Sequence, residues 1–467
     1  MNEASGPSGD SGAAQRSGCP AAPNPRETAR SILYRLDRGA IDLQSELDAA
    51  FSKGLWDPRD RRLAAELTFG VARWRHRLDR VIRQVSGRRL KDLDRQVRTV
   101  LRLGVYQLLF LTRVPARAAV DSTVGLAGNA RRRGVVNAVL RKVAAGEWTK
   151  TPDDPQAAFC FEHALPPWLS ARWLTAYGPE AAALRAHQAN RVPTLTLRVE
   201  TDRVSRAAYA DLLRQTGIES TPTLISPDGL RLAGGVRVPE LPGYEDGLIY
   251  VQDEASQLVG ALTGASPGER VLDLCAAPGG KTGQLARGVG DHGQVVAVEA
   301  DPERAGRLRE NLKRLGRSNV EVVVADATRL DSATLGALFD RVLVDAPCSG
   351  LGVLNRHPEG KWWKAESLIA NSAGQQAALL AWAAGVVRPG GYLVYSVCTG
   401  EPEETSGQVA AFRAKHPEFE PCPADQVLGP AVARWTGGGG ELDTNGSPVE
   451  SDGGLDGFFA VQLVRQS

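Results

Sequence analysis

The chain reads as an α/β protein whose strand–helix sheet domain follows an all-helical region and a small α+β module. Three observations carry this. Beyond about residue 246, short apolar runs alternate with amphipathic helical stretches. Between about Pro25 and Gly146, apolar residues recur at three- and four-residue steps. The chain has 467 residues, 42% hydrophobic and 24% charged, which suits a globular protein of two or three domains.

Residues 1–24 are rich in Gly, Ser, Ala and Pro without an apolar stretch, so a disordered tail is expected there, not a signal or membrane segment. Residues 25–150 form the helical domain. Leu63, Leu67, Val71, Trp74, Leu78, Val81 and Val85 line one helix face, arginines occupy the other, and Pro58-Arg-Asp60 opens that helix. The stretch 97–111 is apolar nearly all round and predicts a buried central helix. Shorter helices are predicted over 120–127 and 136–145.

Residues 152–155 read as a linker and 155–245 as the α+β module. Pro166-Pro-Trp168 opens a helix, 194–199 alternates as a strand, 207–216 reads as a helix and 230–233 as a strand. In the sheet domain, 246–467, strands are predicted at 271–274, 295–299, 320–324, 342–345 and 392–396. Helices should begin near Lys281, Pro302, Leu335, Asn371 and Glu403. Such alternation implies a parallel sheet covered on both faces. A late strand follows at 457–464, and the Gly-, Ser- and Asp-rich 437–454 reads as a flexible surface insertion.

Net charge is only +2, but 47 of the 56 basic residues are arginines. Many fall in the first third: Arg59, Arg61, Arg62, Arg73, Arg75, Arg77, Arg88, Arg89, Arg131, Arg132, Arg133 and Arg141. Their planar forks suit phosphate, although codon bias accounts for arginine richness equally well. Six scattered cysteines without a CxxC pair argue against a zinc ribbon or disulfide framework and for reduced thiols in a cytosolic enzyme. No apolar run is long enough to span a membrane.

The loop Cys275-Ala276-Ala277-Pro278-Gly279-Gly280-Lys281-Thr follows the first sheet strand. It lacks the first glycine of a P-loop, since Cys275 stands there, yet its small residues let a nucleotide-like ligand approach the backbone. Glu299, Asp326 and Asp345 end the next three strands, where an adenosine ribose and base would lie. These acids do not distinguish S-adenosylmethionine from a dinucleotide. Cys348, in Asp345-Ala-Pro-Cys348, and Cys398, in Tyr395-Ser-Val-Cys398-Thr, follow strands of the same sheet, so both thiols should face the crevice. Two thiols beside such a pocket suit transient addition to a pyrimidine, with Lys281 as a nearby cation and Asp345 stabilising charge on the ring. Residue chemistry alone does not say which thiol attacks. Cys275, Cys19, Cys160 and Cys422 carry no reactive constellation.

The glycine loop, Asp345-Ala-Pro-Cys348-Ser-Gly350, Arg356-His-Pro-Glu-Gly-Lys361-Trp, Tyr395-Ser-Val-Cys398-Thr and Asp456-Gly-Phe-Phe459 resemble the Sun-type bacterial 16S ribosomal RNA cytosine-5 methyltransferases. Arg102-Leu-Gly-Val-Tyr-Gln-Leu-Leu109 and Val136-Asn-Ala-Val-Leu-Arg141 are similar to the RNA-binding domain shared with the antitermination factor NusB. The resemblance implies a Rossmann-like class I methyltransferase domain with a mostly parallel seven-stranded sheet. It implies S-adenosylmethionine as donor, held by residues 275–281, Glu299, Asp326 and Asp345. It also implies Cys398 as nucleophile, Cys348 as the thiol that aids release, 16S ribosomal RNA as partner, and a cytoplasmic location. No metal, membrane or obligate protein partner is expected, and the chain is expected to be monomeric.

Overall fold

The structure is a computed structural model that describes residues 23–148, 151–447 and 454–467. The expected tail lies almost wholly outside the described residues, as does the second part of the 437–454 stretch.

The helical region comprises α1 (Pro25–Leu36), α2 (Leu43–Phe51), α3 (Pro58–Ser86), α4 (Arg95–Phe110), α5 (Ala116–Gly125) and α6 (Ala130–Ala144). Asp57 caps α3 by accepting from the Arg59 amide at 2.7 Å, and Pro58 stands at its first position, where a missing N–H costs nothing. Leu67, Val71, Leu78 and Val81 are fully buried against α4, whose Val100, Leu101 and Leu103 are equally sealed. Gly70 is required at that crossing, because a Cβ there would sit 2.1 Å from the Tyr106 ring.

α7 (Pro155–Glu162) and α8 (Pro167–Asn190) lead out of this domain. A four-stranded antiparallel sheet follows, built from β1 (Thr196–Val199), β2 (Ser220–Pro222), β3 (Gly229–Leu232) and β4 (Ile249–Val251) in the order β2-β3-β1-β4. It is joined by α9 (Arg206–Gln215).

Then come α10 (Glu254–Leu262), β5 (Arg270–Leu274), α11 (Gly280–Val289), β6 (Gln294–Glu299), α12 (Pro302–Leu315), β7 (Val320–Val324) and β8 (Phe339–Asp345). They are followed by α13 (Gly360–Trp363), α14 (Ser367–Ala384), β9 (Val387–Val397), α15 (Ser406–Lys415), β10 (Phe419–Cys422), α16 (Ala424–Leu428), β11 (Leu442–Asp443) and β12 (Phe459–Arg465). The sheet order is β10-β12-β9-β8-β5-β6-β7, with β11 on β12; β5 to β9 run parallel and β12 runs antiparallel to β9. The chain winds one way from β5 to β7 and the other way through β8 and β9, so the switch point opens at the carboxyl ends of β5 and β8.

Three expectations are corrected. No α-helix starts at Leu335: a short 3-10 turn ends there, Gly336 takes φ +78°, and β8 begins at Phe339. β7 stops at Val324, so Asp326 caps the turn beyond it instead of ending the strand. The described part of 437–454 is not a flexible surface insertion, because β11 pairs with β12 and Leu442 and Thr444 are fully buried.

The basic face predicted along α3 also divides. Arg73 is buried and its Nη2 donates to the Asn355 carbonyl at 2.8 Å, and Arg75 pairs with Asp37 at 3.0 Å. Arg132 of α6 pairs with Asp94 at 3.1 Å, whereas Arg131, Arg133 and Arg141 are exposed. Some of these arginines therefore build the domain instead of presenting charge.

The sheet domain is held at several interfaces. Arg198 of β1, fully buried, donates to the Gly280 carbonyl and to Gln252, and pairs with Glu200. From the other side the 355–363 segment meets α3: Trp362 Nε1 donates to Ala72 O at 2.6 Å, Lys361 Nζ to Arg73 O at 3.3 Å, and His357 Nδ1 lies 3.5 Å from Asp42.

Candidate active site

Adjacent parallel strands carry the site. Leu274 is in register with Val344 and Val298, and Asp345 with Ser396, so Cys275, Glu299, Asp345 and Cys398 emerge along one edge of the sheet. Asp345 closes β8; its Oδ1 accepts from Ser396 Oγ at 2.6 Å and its Oδ2 from Lys281 Nζ at 2.8 Å. Lys281, in the first turn of α11, also lies 5.2 Å from the Phe458 ring. Lys281 and Asp345 thus form a fixed ion pair at the crevice.

Cys348 and Cys398 meet with their sulfurs 3.3 Å apart. The hydrogen bond from Cys348 holds the Cys398 thiol below its ordinary value, with the Lys364 and Lys281 ammonium groups acting in the same direction. The same contact, together with burial and the negative charge on Cys398, pushes Cys348 well above its ordinary value. One thiol is therefore favoured as thiolate and its neighbour as the proton carrier. Cys275 differs: burial, Asp345 and Glu299 push it up to about 12, which keeps it neutral.

The two thiol-bearing loops are bound to each other. Glu404 accepts from the Ser349 amide at 2.7 Å and from its hydroxyl, and Ser349 Oγ contacts Thr399 Oγ1 at 3.0 Å. Lys364 Nζ donates to the Ser349 carbonyl and, at 3.2 Å, to that of Gly350. Behind Cys398, Asn445 Nδ2 donates to the Thr399 carbonyl at 3.1 Å.

The glycine loop turns at Cys275 (φ +63°) and Gly279 (φ +104°), and Ala276, Ala277 and Gly280 are buried. A Cβ on Gly279 would meet Leu308 at 2.7 Å. Glu299, 3% exposed, accepts from the Ala277 amide at 3.2 Å, and Asn311 donates to the Pro278 carbonyl at 2.9 Å, so the acid and the loop form one wall. Asp326 stands apart: it is exposed and holds Thr328.

Four contributors escaped sequence reasoning: Asp273, Ser396, Lys364 and Asn445. Asp273 lies fully buried in β5, where Thr282 Oγ1 donates to its Oδ2 at 2.7 Å; its Oδ1 has no partner among the described residues, and burial pushes it up to about 7. A carboxyl inside an apolar strand was the available signal, since such a group needs a donor. Ser396 sits one strand position before Val397-Cys398 and could have been inferred from period two. Lys364 and Asn445 follow no spacing rule.

No helix among the described residues is long and apolar enough to cross a membrane. The family described as 16S rRNA methyltransferase RsmB/F matches residues 261–463, the NusB family residues 23–145, and the ferredoxin-like domain of RsmF/B-like methyltransferases residues 165–239. Ribosomal RNA small subunit methyltransferase B of Sodalis glossinidius is 36% identical over 444 residues, 94% of this chain and 97% of that protein. The protein of the same name in Pseudomonas putida is 36% identical over 445 residues, 95% of this chain and 98% of its own. Among solved structures, that of PH0851 aligns with a TM-score of 0.78 and 26% identity, covering 95% of this chain and 99% of its own. NSun6 from Pyrococcus horikoshii, solved with SFG, shares the fold at TM-score 0.56 and 22% identity, covering 65% of this chain and 99% of its own. With three domain matches in sequence order and relatives alike from end to end, the chain belongs to the RsmB/F family of 16S rRNA methyltransferases.

Proposed function

We propose that the protein transfers a methyl group from S-adenosylmethionine to carbon 5 of a cytosine in 16S ribosomal RNA, with Cys398 as covalent nucleophile. The observation that carries this reading is the 3.3 Å sulfur pair with its unequal proton affinities, beside the Lys281–Asp345 ion pair.

The crevice fits the donor. Glu299 can accept ribose hydroxyls at the wall of the glycine loop, and the orphan Oδ1 of Asp273 awaits a donor such as an ammonium group. When bound, S-adenosylmethionine supplies an electrophilic methyl group.

The chain's own residues do the rest. The Cys398 thiolate adds to carbon 6 of the ring; the sulfur–carbon bond forms and the π pair moves to carbon 5, which becomes nucleophilic. Asp345, held by Lys281 and Ser396, accepts from the cytosine amino group and orients the ring, and the Lys281 ammonium offsets the negative charge that spreads over it. After carbon 5 is methylated its proton passes to solvent water, and the released electron pair restores the double bond and expels Cys398 as thiolate. Cys348, the more proton-retentive partner, serves that release. The helical domain and the module around β1–β4 grip folded RNA while the sheet domain receives an unstacked base.

Denaturing gels test this. With 16S RNA containing 5-fluorocytosine the Cys398→Ala variant should form no adduct, and it should transfer no methyl group, whereas Cys348→Ala should accumulate an enzyme–RNA adduct with ordinary unmethylated 16S RNA, from which wild type turns over. An adduct that persists in Cys398→Ala would reverse the two roles.

A further inference from the structure

Trp363 is 47% exposed and is the one exposed residue among the phenylalanines, tyrosines and tryptophans of the described residues. Its neighbours fix where it stands. Trp362 is anchored inward by its bond to Ala72 O, with the Arg75 guanidinium 5.3 Å from its ring, so the backbone of the single-turn α13 is held. Lys364, the next residue, lies with its ammonium 5.7 Å from the Trp363 ring and bonded to the Gly350 carbonyl on the Cys348 loop. A Cβ on Gly350 would lie 2.9 Å from that ammonium and 3.9 Å from Cys398 Sγ. A short path thus connects the open indole to the reactive sulfur.

Resting on the functional reading above, we propose that Trp363 is a stacking platform for a nucleotide flanking the target cytosine. No other large apolar side chain in 355–366 is exposed, so the site lacks the contiguous apolar area of a protein-docking patch. A single rigid ring suits a single base, because every base offers a π face. The indole lies outside the crevice, within one or two nucleotides' reach of Cys398, where a residue beside an unstacked target is read. Its fixed backbone keeps the ordering cost of binding low.

Steady-state methylation of in vitro transcribed 16S RNA tests this. Trp363→Ala should raise KM about tenfold, the size of one base–aromatic stack, with kcat within about twofold of wild type. Trp363→Phe should recover most of the loss. The salt dependence of binding should keep its slope, because no phosphate contact is removed. A KM for Trp363→Ala equal to that of wild type would overturn the proposal. If the wild-type chain methylates no 16S RNA, the functional reading fails instead. Binding of oligo(rC) then decides the platform: equal affinity for wild type and Trp363→Ala rejects it, and about tenfold weaker binding by the variant upholds it.

Discussion

The Cys348 and Cys398 sulfurs lie only 3.3 Å apart, and the contact raises one thiol and lowers the other, so each sets its neighbour's titration. Removing the donor with Cys348→Ala should therefore raise the pH at which iodoacetamide alkylates Cys398 at half its maximal rate. An unmoved midpoint would assign the low value to Lys364 and Lys281 instead. Cys348, Cys398, Asp345 and Lys281 were legible because each follows a strand or a glycine turn, and chain position alone brings such residues to one edge. Asp273 and Lys364 were not. Their roles come from what surrounds them: an unpaired buried oxygen in one case, two carbonyls of a distant loop in the other. Asp326 shows the converse, since a plausible strand-end acid turned out to cap its own turn.

The segment 442–447 is a strap over the back of the Cys398 loop. β11 fastens it to β12, Gln188 of α8 donates to the Thr444 carbonyl at 3.0 Å and accepts from the Gly446 amide at 2.9 Å, and Asn445 reaches Thr399. Asn445→Ala would leave the buried Thr399 carbonyl without that donor, a loss of about 1–3 kcal/mol. If the loss falls on the geometry of Cys398, kcat should drop roughly tenfold with KM for RNA little changed. A KM rise at constant kcat would make the strap an RNA contact. The strap was illegible because its Asp, Asn, Gly and Ser read as loop, while its burial comes from β12 and from Gln188, a partner 256 residues away. The inner parallel strands β5 and β6 were legible for the opposite reason: buried on both faces, they are nearly continuous apolar runs. The missing helix at Leu335 shows the limit of strand–helix alternation, since a turn with a left-handed glycine suffices to pass from β7 to β8.

The helical domain and the sheet domain are joined by polar contacts, some half-exposed and some buried. His357, between Asp42 of α2's cap and Glu359, is pushed up to about 9 by those two carboxylates. A folded value above the ordinary 6.5 means that the stabilisation is complete below about pH 6.5 and is lost as pH rises through about 9. The thermal midpoint of wild type minus that of His357→Gln should therefore shrink over that interval. A constant difference would show that the histidine acts by packing alone. The helical domain was legible from period and caps, yet its docking was not: Arg73 and Lys361 look like surface residues in sequence and are buried in the fold. Lys361 has its ammonium sealed between Arg73 O and Asn190 Oδ1, with burial pulling it well below its ordinary value. Each half of the chain therefore supplies solvation for the other. A gene fission inside residues 151–154 would yield two products that regain activity only when made together, because apart the buried Arg73 loses the Asn355 carbonyl and the buried Lys361 loses the Arg73 carbonyl.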